Sequence, residues 1–210
     1  MPATAKICGL TTPDTLRAAI AHGASHVGFV IFPASPRHVD PARLGALAGQ
    51  VPPHVARVGV FVDPDDALLD SVAPWLDAFQ LHKVAPARAA AIRARHGREV
   101  WAAVAVKTRA DLAVASDYRG AADVILYDAK TPADAAHPGG MGLRFDWGLL
   151  DSFAHPLPWA LSGGLDAGVV GEAIARTGAA LVDVSSGVES APGIKDVDKI
   201  AAFLKAVATS

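Results

Sequence analysis

The sequence predicts a closed (βα)8 TIM barrel as a single domain over residues 1–210, and three observations carry that expectation. Short β-type apolar runs alternate with amphipathic helical patterns along the chain, with no break in composition. The runs are nearly continuous in hydrophobicity, as in strands of a parallel sheet buried on both faces. Eight strand-then-helix units share the 210 residues at about 26 each, near the lower size for this barrel. An open doubly wound sheet competes with it. No G-x-G-x-x-G follows the first strand, which weakens the dinucleotide-binding form of that alternative.

The expected strands are Ala5–Leu10, His26–Ile31, Val55–Val62, Asp77–His82, Val100–Val106, Asp123–Asp128, Pro158–Ser162 and Leu181–Ser185. Thr12-Pro13 and Asp40-Pro41 each offer an N-cap followed by proline at the first helical position. Asp63-Pro64 repeats the device ahead of Leu68, Leu69 and Val72. A helix is expected over Pro86 to His96, and Thr108 with Asp111 resembles a capping box before Leu112 and Ala115. A short helix starts at Asp146. Asp166 opens a helix carrying Val169, Val170, Ala173 and Ile174, stopped by Gly178. From about Val197, Ile200, Phe203, Leu204 and Val207 form one apolar stripe. Trp75, Trp101, Trp147 and Trp159 are expected to pack.

Composition narrows the function. The chain is 51% hydrophobic and 19% charged, with a formal net charge of −2, so a disordered protein is excluded. A mean hydropathy of +0.30 invites a membrane reading. The best apolar runs, His26–Pro33 and Val100–Val106, fall far short of the roughly 20 residues of a spanning helix. No basic start with an apolar h-region marks a secretory signal, so a cytoplasmic protein is expected. Balanced charge and a pI near 6.4 give no support for nucleic-acid binding. The single cysteine, Cys8, excludes an intrachain disulfide and a multi-cysteine metal site. No pair of histidines has metal-ligand spacing with a carboxylate, so no metal is expected.

In this fold, function collects where strands end and βα loops begin. Those ends carry Cys8, Ser35-Pro36-Arg37 after Phe32, Asp63, His82, Lys107, Asp128, Ser162-Gly163-Gly164 and Ser185-Ser186-Gly187. The loops Phe32–Asp40 and Ala129–Phe145 are long, the second containing Pro138-Gly139-Gly140-Met141-Gly142. Glycines let backbone N–H groups approach an anion, and the loops after strands seven and eight frequently hold phosphate. Gly163, Gly164, Ser185, Ser186 and Gly187 are therefore candidate phosphate ligands, and Gly187–Lys195 has room for an extra helical turn. Cys8 is a candidate base, although an isolated cysteine is often only a small buried hydrophobe. Asp128 is a candidate general acid, with helix or loop capping as its alternative. Arg37 suits bidentate capture of a carboxylate unless it is simply a solvated arginine. His82 has ligand contact and a supporting core role open to it. One acid and one base beside a bound phosphate suggest sugar-phosphate isomerisation.

The same residues carry a family resemblance. Lys6-Ile7-Cys8-Gly9-Leu10, Gly28-Phe29-Val30 leading to Ser35-Pro36-Arg37, Val58-Gly59-Val60-Phe61-Val62 and Gln80-Leu81-His82 resemble phosphoribosylanthranilate isomerases. So do Asp128, Gly139-Gly140 to Gly142 with Phe145-Asp146-Trp147, Ser162-Gly163-Gly164-Leu165, and Val182-Asp183-Val184-Ser185-Ser186-Gly187-Val188-Glu189. The matches run in order from residue 6 to Lys195-Asp196. The resemblance implies an Amadori rearrangement in tryptophan biosynthesis, on a small phosphorylated substrate and without cofactor. It implies Asp128 as the acid that opens the furanose ring and Cys8, as thiolate, as the base at C2′. Arg37 would hold the anthranilate carboxylate and the two glycine-serine loops the phosphate. Lys83, Tyr127 and Met141 depart from the usual pattern, which bears on His82 and on the Gly139–Gly142 loop. Competing readings are an isomerase of another aminosugar phosphate, a ribulose-phosphate epimerase and a non-catalytic phosphosugar-binding module. The first is expected to use a carboxylate where Cys8 stands, and the second to need metal ligands. Nothing in the sequence decides oligomeric state; a monomer is expected, with a homodimer as the alternative.

Overall fold

A computed structural model describes residues 2–131 and 142–210. The Pro138–Met141 part of the expected long loop lies outside the described residues. Eight parallel strands close a barrel in sequence order: β1 (Thr4–Cys8), β2 (His26–Val30), β3 (Ala56–Val62), β4 (Ala78–His82), β5 (Glu99–Val106), β6 (Val124–Ala129), β7 (Trp159–Leu161) and β8 (Leu181–Val184). Each expected strand is found, with ends shifted by no more than two residues. Ring closure is the pairing of β1 with β8, which sets Lys6 opposite Asp183.

Helices α1 (Pro13–Ala21) and α2 (Pro41–Ala48) start where expected, with Thr12 and Asp40 side chains accepting from Thr15 and Arg43 N–H. Helix α3 (Asp66–Val72) is capped by Asp65, not Asp63. Asp63 instead continues the sheet, its N–H donating to the His82 carbonyl at 3.1 Å, in a positive-φ conformation of +43°. Helix α4 (Pro86–His96) ends on left-handed Gly97. Helix α5 (Val170–Thr177) begins later than Asp166, because that side chain closes a turn onto Gly168 N–H at 2.7 Å. Helix α6 (Val197–Ala208) buries Ile200, Phe203, Leu204 and Val207 as one stripe.

The Thr108–Asp111 capping box forms, yet Arg109–Tyr118 after it is a 3-10 helix. Its buried residues, Leu112, Ala115 and Tyr118, recur every third position, the period of a 3-10 helix. An α-helix would rotate Tyr118 away from the barrel. Asp146 likewise caps only a 3-10 turn, Trp147–Leu150. The Gly187–Lys195 segment holds a 3-10 turn, Ser186–Val188, then a hairpin of β9 (Glu189–Ala191) and β10 (Ile194–Lys195). Trp101 and Trp147 are buried as expected, but Trp75 is 42% exposed. It lies against Gly45 of α2, on the barrel's outside.

Inside the barrel, strand residues two apart point the same way. Val58, Ala78, Trp101, Leu126 and Ala160 fill the layer toward the strands' starts. Cys8, Val30 and Val60 form the apolar wall toward their ends. Among the described residues, no helix is long and apolar enough to cross a membrane.

Candidate active site

Strand period two brings Lys6 and Cys8 into the barrel together from β1. Lys6 is fully buried and pairs with Asp183 of β8 at 2.8 Å. Its Nζ lies 5.9 Å from the Trp101 ring centroid, over the layer below. Removing one partner of such a buried pair costs about 3–5 kcal/mol, because the other charge is stranded. Gly28 makes room for this packing. A Cβ there would lie 3.0 Å from Cys8 Sγ and 3.1 Å from Lys6 Cε.

Cys8 is 6% exposed at the end of β1. Burial pushes its thiol above the ordinary value; Lys6 and Lys195 pull the other way, and Asp183 adds to the rise. Burial lowers Lys6, but Asp183 and then Cys8 more than offset it, so its ammonium is held above the usual range. Across the barrel, Asp128 ends β6 with its carboxyl pushed up to about 7. Burial is the main cause and the Asp183 charge the next; the Ala129 N–H, 2.8 Å from Asp128 Oδ1, opposes them. A carboxyl in that state carries a proton at neutral pH for part of the time, as a general acid needs.

Arg37 lies in the second βα loop, 5% exposed. Its Nε and Nη2 donate to Glu189 Oε1 and Oε2 at 2.7 and 2.8 Å, a fork that fixes the guanidinium plane. Lys195 Nζ donates to the same Glu189 Oε1 at 2.7 Å and to the Ser185 carbonyl at 2.8 Å. The β9–β10 hairpin thus ties the second loop to the end of β8. Burial works against Glu189 ionising, but Arg37 and Lys195 hold its pKa below the usual value. His82 Nε2 is 2.9 Å from Gln80 Nε2, and burial with Lys6 lowers its pKa to about 4, so the ring is neutral.

Cys8, Phe32, Arg37, Val60, Gln80 and His82 line a cleft of about 540 Å³, open at its mouth. A neighbouring one of about 340 Å³ is lined by Gly163, Gly164, Ser185 and Ser186. Asp128, Ser162, Asp183 and Ser185 line both. Gly163 and Gly164 have φ of +93° and +62°, and a Cβ on them would come within 2.8 Å of Ala129 N and 2.9 Å of Leu143 O. Their N–H groups donate to no backbone acceptor among the described residues, which suits an anion nest. Gly187 is placed differently from the other candidates. A Cβ on it would sit 1.9 Å from Leu165 O, so it packs the last two loops together and does not line the smaller cleft.

Lys6, Gln80, Asp183, Glu189 and Lys195 line or brace the site without being candidates from the sequence, whereas Ser162 belongs to the expected Ser162-Gly163-Gly164 loop. For two of them a signal existed. Lys6 and Asp183 are single charges inside otherwise apolar strands, Ala5-Lys6-Ile7 and Val182-Asp183-Val184, where an unpaired charge is not tolerated.

The model of the family described as N-(5′-phosphoribosyl)anthranilate isomerase matches residues 5–206. The N-(5′-phosphoribosyl)anthranilate isomerase of Zymomonas mobilis subsp. mobilis is 53% identical over 210 residues, covering 99% of each chain. The crystal structure of phosphoribosyl anthranilate isomerase from Thermotoga maritima superposes with a TM-score of 0.86 at 36% identity, covering 99% of this chain and 100% of that one. A crystal structure of a phosphoribosyl anthranilate isomerase in complex with reduced 1-(o-carboxyphenylamino)-1-deoxyribulose 5-phosphate gives 0.83 at 34% identity, with coverage of 99% and 100%. The chain belongs to the N-(5′-phosphoribosyl)anthranilate isomerase family and is an isomerase of tryptophan biosynthesis.

Proposed function

We propose that the chain performs its aldose–ketose rearrangement by general acid–base catalysis, with Asp128 as acid and Cys8 as base. The observation that carries this reading is the shared cleft, with a proton-bearing carboxyl and a buried thiol on its two sides. Asp128 protonates the furanose ring oxygen, and the C1′–O bond breaks as the anilino nitrogen supplies its electron pair. An iminium forms at C1′. Its positive charge acidifies the C2′ proton and favours the thiolate of Cys8 nearby. That thiolate takes the C2′ proton, and the C2′–H electrons form the C1′–C2′ double bond of an enolamine. Tautomerisation places a proton on C1′ and leaves the ketone at C2′.

The phosphate is proposed to sit on the N–H groups of Gly163 and Gly164 with Ser185 and Ser186, Gly187 contributing by holding the loops together. Arg37, oriented by Glu189, meets the anthranilate carboxylate, and neutral His82 lines the aromatic side. The scheme uses neither metal nor cofactor, and we place the enzyme in the cytoplasm as a monomer.

Fluorescence of phosphoribosylanthranilate, lost on turnover, tests the reading. Rapid loss is expected with the parent, near abolition with Asp128→Asn and strong reduction with Cys8→Ser. Unchanged turnover in either variant removes that residue from its role. Phosphosugar binding without turnover in the parent would favour a binding module.

A further inference from the structure

The larger cleft holds a buried acceptor that the acid–base scheme leaves unused. Gln80 is 2% exposed in the middle of β4, on the inward face that it shares with Ala78 and His82. Its Nε2 donates to His82 Nε2 at 2.9 Å. A ring nitrogen that accepts carries no proton, so the neutral His82 keeps its proton on Nδ1. The other end of the amide, Gln80 Oε1, is buried with no hydrogen-bond partner among the described residues. The strands on either side offer it nothing. Val60 of β3 and Trp101 of β5 stand opposite Gln80 in register. Valine has no polar side-chain atom, and the Trp101 indole N–H already donates to Glu99 Oε1 at 2.6 Å. A buried acceptor left bare is unfavourable, so a donor from outside the protein completes this site.

The position of Gln80 selects the donor. It lines the cleft of Cys8, Phe32 and Arg37, and not the neighbouring one of Gly163, Gly164 and Ser186. Of the substrate's donors, the sugar hydroxyls lie toward the phosphate, and only the anilino N–H is bonded to the aromatic ring. We infer that Gln80 is a binding and specificity residue of the reaction, its Oε1 accepting the anilino N–H while His82 holds the amide in that orientation. The inference rests on the aromatic ring of the substrate occupying the larger cleft. An ether oxygen in place of the N–H sets one lone pair against another and is rejected. The contact also strengthens along the reaction. When the nitrogen becomes an iminium its N–H carries positive charge, and a charge-assisted hydrogen bond replaces a neutral one.

Two unreactive ligands test the contact by titration calorimetry: 1-(2-carboxyphenylamino)-1-deoxyribitol 5-phosphate, an amine, and its 2-carboxyphenoxy counterpart, an ether. The parent is expected to bind the amine at least about tenfold more tightly. Gln80→Met keeps the length of the side chain without the amide oxygen, and is expected to remove that preference by weakening the amine. Equal binding of both ligands by the parent overturns the inference, and so does a preference kept in Gln80→Met. A water on Oε1, or a contact with a sugar hydroxyl, gives one of those two results. The amide orientation is read without any variant of Gln80, from the ¹⁵N shifts of the His82 ring, assigned by their loss in His82→Asn. A proton on Nδ1 is expected; a proton on Nε2 would turn Oε1 toward the ring and overturn the inference even if Gln80→Met fails to fold. Phe32→Ala is expected to weaken both ligands alike. An amine preference that depends on Gln80, with both ligands indifferent to Phe32→Ala, would sink the placement of the aromatic ring while leaving the Gln80 contact intact.

Discussion

The two halves of the barrel mouth are built from different materials. The half from β1 to β4 is walled by Cys8, Val30, Phe32, Val60 and Val62, with Arg37 and His82 as its polar edges. The half from β6 to β8 is made of backbone and hydroxyls, with Gly163, Gly164, Ser185 and Ser186 around an anion-sized hollow. An apolar wall with one guanidinium suits an aromatic carboxylate, whereas glycine N–H groups suit a phosphate. Asp128, Ser162, Asp183 and Ser185 belong to both halves, and the proposed scheme puts the reacting sugar carbons where the two meet. On that scheme binding is done at the ends and proton transfer at the seam.

The largest effect is expected at the seam. Asp128→Asn should lower kcat about 10³-fold or more, measured by substrate fluorescence, with inorganic phosphate still competing for the hollow. Loss of both would mean that Asp128 belongs to phosphate binding instead. Cys8→Ser should cost roughly 10²-fold, since an alcohol ionises far less readily than a thiol.

Stability should respond in the opposite sense. The Asp128 carboxyl is raised to about 7 from an ordinary value of 3.8, so the folded state binds a proton that the unfolded chain has released. Its favourable contribution is therefore present in acid and lost as pH rises from 3.8 through about 7. Asp128→Asn should gain stability on the order of 3 kcal/mol at pH 8 relative to its effect at pH 4, read from urea unfolding. A uniform change at both pH values would break that link.

The catalytic pH profile follows from the same two groups. The proposed scheme needs Asp128 protonated and Cys8 ionised, yet burial raises both, and Cys8 starts from the higher ordinary value. The active form is then a minority species, and kcat/KM should rise with pH to a bend near 7, set by Asp128. Asp128→Glu should move that bend, and a bend unmoved would assign it elsewhere.

Smaller effects separate the two halves. Gly164→Ala forces a side chain onto a φ of +62° with its Cβ 2.9 Å from Leu143 O. KM should rise about tenfold and weaken phosphate inhibition, with kcat nearly kept. Phe32→Ala should raise KM about threefold while phosphate inhibition stays at the parent level. An equal response of phosphate inhibition to both changes would erase the distinction between the halves.

Much of the site was legible because strand ends could be located first. Once β1 and β6 were placed, Cys8 and Asp128 stood at one mouth, and the two glycine-serine loops fell on adjacent strands. What escaped was pairing across the chain. Arg37 reads as a ligand for a substrate carboxylate, but the sequence does not show that Glu189, far along the chain, orients its guanidinium. Gly187 reads as a phosphate ligand from its loop alone, and only the fold adds that the Leu165 carbonyl of another loop leaves no room for a Cβ there. The capping box at Thr108 was correct, but only packing against the barrel selected the 3-10 period behind it.

The sequence by itself determined the barrel, its strand order and the residues at its mouth. Alternation of buried strands with amphipathic helices is a local pattern, and parallel connection leaves few topologies. Tertiary structure alone decided which charges neutralise one another and which protons stay where. Lys6 meets Asp183 only because β1 pairs with β8 when the barrel closes. Burial then strengthens the interactions between charges in that interior, so the protonation of Cys8 and Asp128 depends on neighbours that the order of residues does not bring together.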